Sequence, residues 1–349
     1  MAPGAPVYIS NAKMKLGLDR IDQLLAGASV PAIGEGEADT ETVGVVQDLL
    51  IGHGFRKLPG LLGRGRGRFG PQTVAAVTRF QGTGGLAETG AVDGATLKRL
   101  VELPAVEPIA SRGYLALVLD FSWAGFVRLV SLTAQFEAAG RFTAVNGNTD
   151  KAGLSFGLIQ WAQKPGRLAE LLRAFFAADA ARFVEVFGAG DAALAKALIA
   201  HTSKPRGGTD AVGCTKDPRF DLVREPWLAR FLTAGRDCPW QRVQMNQAIL
   251  AYRVSFDRIR AFAPAVRGER AIAFLLDLSN QHGDAGAQSI CKASLRPGIS
   301  EADLLAKMEA ESVARVRRQF GDGAVVESTR ARRQTFRESA LLSDAPFTA

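Results

Sequence analysis

The stretch EAAGRFTAVNGNTDKAGLSFGLIQW, residues 137–161, interrupts a pattern that is otherwise helical. The run before it, YLALVLDFSWAGFVRLVSLTAQF (114–136), is almost wholly apolar and predicts one long buried helix with Glu137 near its end. The stretch itself changes period. RFTAV (141–145) and AGLSFGLIQ (152–160) flank Asn146-Gly147-Asn148, and Asn-Gly is a strong hairpin-turn signal. A small β-hairpin is therefore expected, with Asp150 just beyond its turn. Helical patterns return at 165–177, 191–201, 226–234, 240–261, 267–281 and 300–319. Ser300 and Asp303 fit a capping box at the start of the last of these. The expected fold class is mainly α, with residues 113–349 forming one α-rich domain around the hairpin.

The first third reads differently. Residues 1–40 are an N-terminal extension containing a Gly/Glu-rich loop, IGEGEADTET. Residues 41–101 predict a small three-helix module. In VGVVQDLLIGHGF (43–55), Val43, Val46, Leu49 and Leu50 share one helical face, and Gly52 and Gly54 stop it. LLGRGRGRFGPQTVAAVTRFQ (61–81) opens as a Gly/Arg loop. Pro71 then fits a first helical turn, where a missing N–H costs nothing, and Val74, Val77 and Phe80 recur at helical spacing. AVDGATLKRLV (91–101) adds an Asp93-Gly94 turn and a third short helix. The two prolines of ELPAVEPIASR (102–112) mark a linker.

Several strings in this module resemble the peptidoglycan-binding domain carried by many wall hydrolases. They are Val46-Gln47-Asp48-Leu49-Leu50, Gly54-Phe55, Phe69-Gly70-Pro71-Gln72-Thr73, Ala76-Val77, Phe80-Gln81 and Val92-Asp93-Gly94. The resemblance implies a module that holds wall polymer and does no chemistry. The Gly/Arg run at 63–68 stands where that family usually has a short Asp-Gly turn.

Composition narrows the function. The 349 residues are 47 % hydrophobic and 22 % charged, ordinary for a globular protein, and carry a net charge of +8. Positive charge favours an anionic partner, and a bacterial wall is one. No nucleic-acid module signature accompanies it, so no nucleic acid is expected. Arg315, Arg317, Arg318, Arg330, Arg332, Arg333 and Arg337 crowd the C-terminal end and read as a solvated basic surface. Cys214, Cys238 and Cys291 are too few for a disulfide framework, and free buried thiols are the expectation. No run reaches the roughly 18 apolar residues of a membrane span. The N-terminus lacks the apolar core of a signal peptide, so action on a wall implies non-classical release. A phage endolysin and a secretion-system effector both fit; an effector implies an immunity protein as partner.

Two carboxylates stand out within the opening stretch. Glycoside hydrolysis needs one protonated carboxyl, kept so by an apolar setting, and one ionised in a polar setting. Glu137 follows Phe136 at the end of the apolar run; Asp150 sits among Asn148, Thr149 and Lys151. Read blandly, Glu137 is a surface ion-pair partner of Arg141, and Asp150 is a turn residue. A Glu closing a buried helix, followed by a hairpin and an apolar run, resembles the lysozyme superfamily. Within it, Asp150, Gly153, Leu154, Ser155 and Gly157 resemble the motif of bacterial chitosanases, and Phe156-Gly157-Leu158-Ile159-Gln160 is similar to a string of lytic transglycosylases. The resemblance implies a lysozyme-like domain in which Glu137 is the general acid, Asp150 the general base and Ser155 an aid to placing the water. Asn148, Gln160 and Trp161 suit the sugar cleft, the last two fitting the core equally well. His282, in Asn280-Gln281-His282-Gly283, matches a chitosanase His-Gly and is also credible as a structural histidine.

Rival chemistries lack their signatures. His53, His201 and His282 are far apart in sequence and form no His-Glu-x-x-His pair, which argues against zinc. The Gly/Arg run lacks the Lys-Ser/Thr of a phosphate loop. The expectation is a cofactor-free, metal-free glycosidase of the amino-sugar wall, probing peptidoglycan in preference to polycationic chitosan. The other classes in play are a lytic transglycosylase and a non-catalytic wall-binding protein.

Overall fold

A computed structural model describes residues 16–149, 151–215 and 217–348. The described chain is mainly α-helical with one small antiparallel sheet of order β1-β2-β3. Its contacts divide it into two units. The first holds the described residues up to Trp123 together with Ser131–Gln247; the second holds Ala124–Val130 and residues from Ala248 on.

The first unit begins with α1 (Asp19–Leu25), α2 (Thr40–Gly52), α3 (Pro71–Thr83) and α4 (Gly94–Glu102). The carboxylate of Asp39 caps α2 by accepting the Glu41 and Thr42 N–H groups at 3.0 and 3.3 Å. Val43, Val46, Leu49 and Leu50 are buried along its expected face. Pro71 opens α3, and Asp93 caps α4 by accepting the Thr96 N–H at 2.8 Å. Two buried glutamines tie the loops between these helices. The Gln47 amide donates to Arg68 O and Thr73 Oγ1 and accepts from Gly67 N. That of Gln81 donates to Ala91 O and Thr96 Oγ1 and accepts from Gly90 N.

The apolar run 114–136 is not one helix. It divides into α5 (Arg112–Leu117) and α6 (Gly125–Ala138), with a corner at 118–124 where Asp120 has φ +59°. Val118 and Leu119 stay buried through the corner, and Phe121 N–H reaches back to Leu115 O at 2.8 Å. From Asp120 to Ala124 the corner is exposed or half-buried, so the apolar run does not fix one continuous helix.

The hairpin is present but shifted. β1 (Val145–Gly147) pairs with β2 (Leu154–Phe156) in the register Val145–Phe156, Asn146–Ser155, Gly147–Leu154. Asn146 and Gly147 thus lie in the strand, and the turn runs from Asn148 to Gly153. A third strand, β3 (Trp161–Ala162), adds to β2. The chain continues as α7 (Arg167–Ala178), α8 (Ala180–Gly188), α9 (Ala192–Thr202), α10 (Trp227–Arg236) and α11 (Cys238–Phe262), with α7 packed on β3 and α10 on β1. Phe156 packs on Phe231 with ring centroids 5.0 Å apart, and Phe175 stacks on Trp240 at 4.9 Å.

The second unit consists of α12 (Glu269–Ser294), α13 (Glu301–Phe320) and α14 (Ala324–Glu338), with parts of α6 and α11. Ser300 caps α13 as expected, accepting the Asp303 N–H at 3.1 Å. The basic tail is not all solvated. Arg332 and Arg333 are buried, 8 % and 0 % exposed, because α14 turns both toward the fully buried Asp277 of α12. All three cysteines are free, and Cys291 alone is buried; Cys214 is exposed. No helix among the described residues is long and apolar enough to cross a membrane.

Candidate functional site

Glu137 is half-buried in the last turn of α6. The helix stops directly after it. Ala139 and Gly140 take left-handed conformations, φ +51° and +71°, and Gly140 N–H returns to Ala134 O at 2.9 Å. A side chain at Gly140 would lie 2.4 Å from the Gln135 amide nitrogen, so only glycine turns the chain here. The same carbonyl end is held by Ala110 N–H, 2.7 Å from Gly140 O. The chain then enters β1 through Phe142, Thr143 and Ala144, all buried.

Asp150 lies outside the described residues; its neighbours show how the turn is built. Asn148 is left-handed at φ +59°, its N–H donating to Gly153 O at 3.0 Å and its Oδ1 accepting from Gly153 N at 2.9 Å. Its Nδ2 donates to Val212 O at 3.1 Å. Lys164 Nζ bridges Lys151 O (3.2 Å) and Ala211 O (2.6 Å). Segment 205–215 thus lies directly against the turn. Gly213 faces Asn148 so closely that a Cβ would be 2.0 Å from its Oδ1.

The remaining candidates are placed by the sheet. Ser155 sits in β2, 4 % exposed, between Asn146 and Ala162. Gln160 is half-buried, and its Nε2 donates to Gly157 O at 3.0 Å. Trp161 is 3 % exposed. Asn148, Ser155, Gln160 and Trp161 therefore share one hairpin, which follows Glu137 in the chain.

His282 belongs to the second unit. It stands before a break in α12 at Gly283 (φ +70°), and its Nε2 is 3.1 Å from Ser312 Oγ. Burial, with help from the charges of Arg333 and Arg315, pushes its pKa down to about 4. A histidine of depressed pKa is neutral when folded and protonates more readily when unfolded. Its contribution to stability is complete above about pH 6.5 and is lost as pH falls toward about 4. His282→Gln is expected to flatten the pH dependence of unfolding in that window, measured by urea melts at pH 7, 5.5 and 4.5.

Two buried glutamines that sequence reasoning missed fix the hairpin. Gln163 accepts Leu154 N–H at 3.1 Å and donates to Gly207 O at 2.9 Å. Gln244 of α11 accepts Leu158 N–H at 3.0 Å and donates to Phe142 O at 3.1 Å. Gly157 permits the second contact, since a Cβ there would stand 2.4 Å from Gln244 Oε1. The available signal was a polar residue in a buried register, as in VQMNQAIL (243–250).

The three-helix module supplies the family comparison. Residues 39–100 match the family model of a peptidoglycan binding domain. The fold explains the strings that carry this match. Phe69, Ala76, Val77 and Phe80 of the peptidoglycan-binding module are buried core, Pro71 starts α3, Thr73 receives Gln47, and Gln81 closes the loop before α4. No curated protein is significantly similar to the chain.

Proposed function

We propose that the protein is a peptidoglycan hydrolase: a wall-binding module followed by a lysozyme-like glycosidase that cleaves β-1,4 bonds between amino sugars. The observation that carries the reading is the peptidoglycan-binding module at 39–100. It is supported by Glu137, half-buried at a sharply ended helix and followed in the chain by a small hairpin. In this mechanism Glu137 gives its proton to the glycosidic oxygen as the C1–O bond breaks. A water attacks C1 from the opposite face and loses its proton to Asp150, inverting the anomeric centre. Such pairs stand about 6.5–9.5 Å apart to admit the water.

A second reading is favoured by the burial of Ser155 and by the hydrogen bonds that occupy Asn148, which leave fewer groups to place a water. In a lytic transglycosylase one carboxyl serves as acid and then base, and a hydroxyl of the sugar itself displaces the leaving group. Digestion of purified sacculi, with products read by mass spectrometry, tests both. Reducing, hydrated products that fall about 10²–10⁴-fold in Asp150→Asn are expected for the hydrolase. Anhydro products with Asp150→Asn nearly as active would replace it by the transglycosylase. Binding without product from wild-type protein would leave a wall-binding protein alone.

A further inference from the structure

The Gly/Arg run at 63–68, where the module departs from its family, has no part in the reading above. Its three arginines behave differently. Arg64 and Arg68 are exposed, whereas the side chain of Arg66 is 9 % exposed. Arg66 lies across α2 at Gly44, where a Cβ would be 1.6 Å from its Nη1. Its Nη2 then donates to Asp48 Oδ2 at 2.7 Å. Asp48 is fully buried, and the same oxygen accepts the N–H of Gly113, in the first turn of α5, at 3.2 Å.

Further contacts join α2 to α5 and to the segment before it. Arg112 Nη1 donates to Glu41 Oε2 at 2.8 Å, and Glu107 N–H donates to Gly52 O at 2.9 Å. A Cβ on Gly113 would stand 2.9 Å from Val45 O, so α2 and α5 meet backbone to backbone. The junction is also incompletely paired. Asp48 Oδ1, Arg66 Nε, Ser111 Oγ and Arg112 Nε are buried there without a hydrogen-bond partner. Burial pushes the Asp48 carboxyl up to about 6 against the pull of Arg66. Groups in this condition regain water when the contact parts, which lowers the cost of parting.

We propose that the Gly/Arg loop is an intramolecular latch: Arg66 docks the peptidoglycan-binding module on α5 through Asp48, and this polar contact opens more readily than the apolar cores on either side. The loop's role is to hold the module against its own chain rather than to touch the wall. The inference rests on the module and not on the glycosidase chemistry, so a chain inactive on sacculi leaves it intact.

Hydrogen exchange on the full chain at pH 7, paired with sacculus co-sedimentation, tests it. Arg66→Met is expected to speed amide exchange at 107–113 at least tenfold, leave α3 and α4 protected, and keep sacculus retention within about twofold. Arg64→Met is expected to change none of these. Gly113→Ala parts the same helices without touching a charge and is expected to give the same faster exchange; it serves if Arg66→Met does not fold. Unchanged exchange at 107–113 in the folded variants overturns the latch. So does loss of sacculus retention in Arg66→Met while Gly113 stays protected, which would make the loop a wall contact.

Discussion

Glu137→Gln is expected to lower the release of reducing ends from purified sacculi by about 10²–10⁴-fold, the usual range for removing a general acid. The substitution keeps size and shape and leaves an amide that cannot serve as a proton donor to the leaving oxygen. Its backbone setting makes the comparison clean. The helix end is fixed by the Gly140–Ala134 hydrogen bond and by Ala110 on the Gly140 carbonyl, neither of which involves the Glu137 side chain. The module at 39–100 is separate from this position in the chain, so co-sedimentation with sacculi is expected to match wild type. Turbidity clearing read beside co-sedimentation separates chemistry from binding. Equal clearing by both proteins would remove Glu137 from the mechanism and with it the proposed acid/base pair.

Asp277→Ala is expected to destabilise the second unit by about 3–5 kcal/mol, the cost of stranding buried charge. Asp277 on α12 has no solvent exposure. Arg332 donates through Nε to Oδ2 at 2.9 Å and through Nη2 to Oδ1 at 2.6 Å, and Arg333 also pairs with Oδ2. Burial pushes the carboxyl upward, but the two guanidiniums outweigh it and hold it below its ordinary 3.8. The stabilisation is therefore present above about pH 4 and lost as pH falls below it. Removing the carboxylate takes this buried acceptor away from both guanidiniums, of which that of Arg333 also lies over Phe274 and donates to Gln281. Urea melts followed by circular dichroism measure the loss. A change under about 1 kcal/mol would mean that the arginines find water on their own. Replacing Asp277, Arg332 and Arg333 together by apolar residues of similar size is expected to recover much of it.

The sequence was most legible where local rules and burial agree. Pro71 starts a helix, Asp93 caps one, Ser300 caps another, and each does so because its own dihedral or side-chain oxygen suits that position. It was least legible where a distant group decides. Asn146-Gly147 reads as a turn, yet the turn forms at Asn148, whose amide bonds Val212 sixty-four residues away. The corner at 118–124 is hidden because apolar residues run through it on both sides of Asp120 and Ser122. Helix α14 reads as solvated basic surface because nothing near Arg332 and Arg333 in sequence announces Asp277. In the candidate site, Glu137 at a helix end was legible, whereas Gln163 and Gln244 were not, since their partners lie on other elements.

Gln163 and Gln244 each use both ends of one amide to join two stretches of backbone, and an amide neither gains nor loses a proton across the physiological range. The scaffold of the hairpin is thus indifferent to acid and to ionic strength at these points. Under the proposed mechanism, a bell-shaped activity profile would accordingly report Glu137 and Asp150, undistorted by loosening of these two braces.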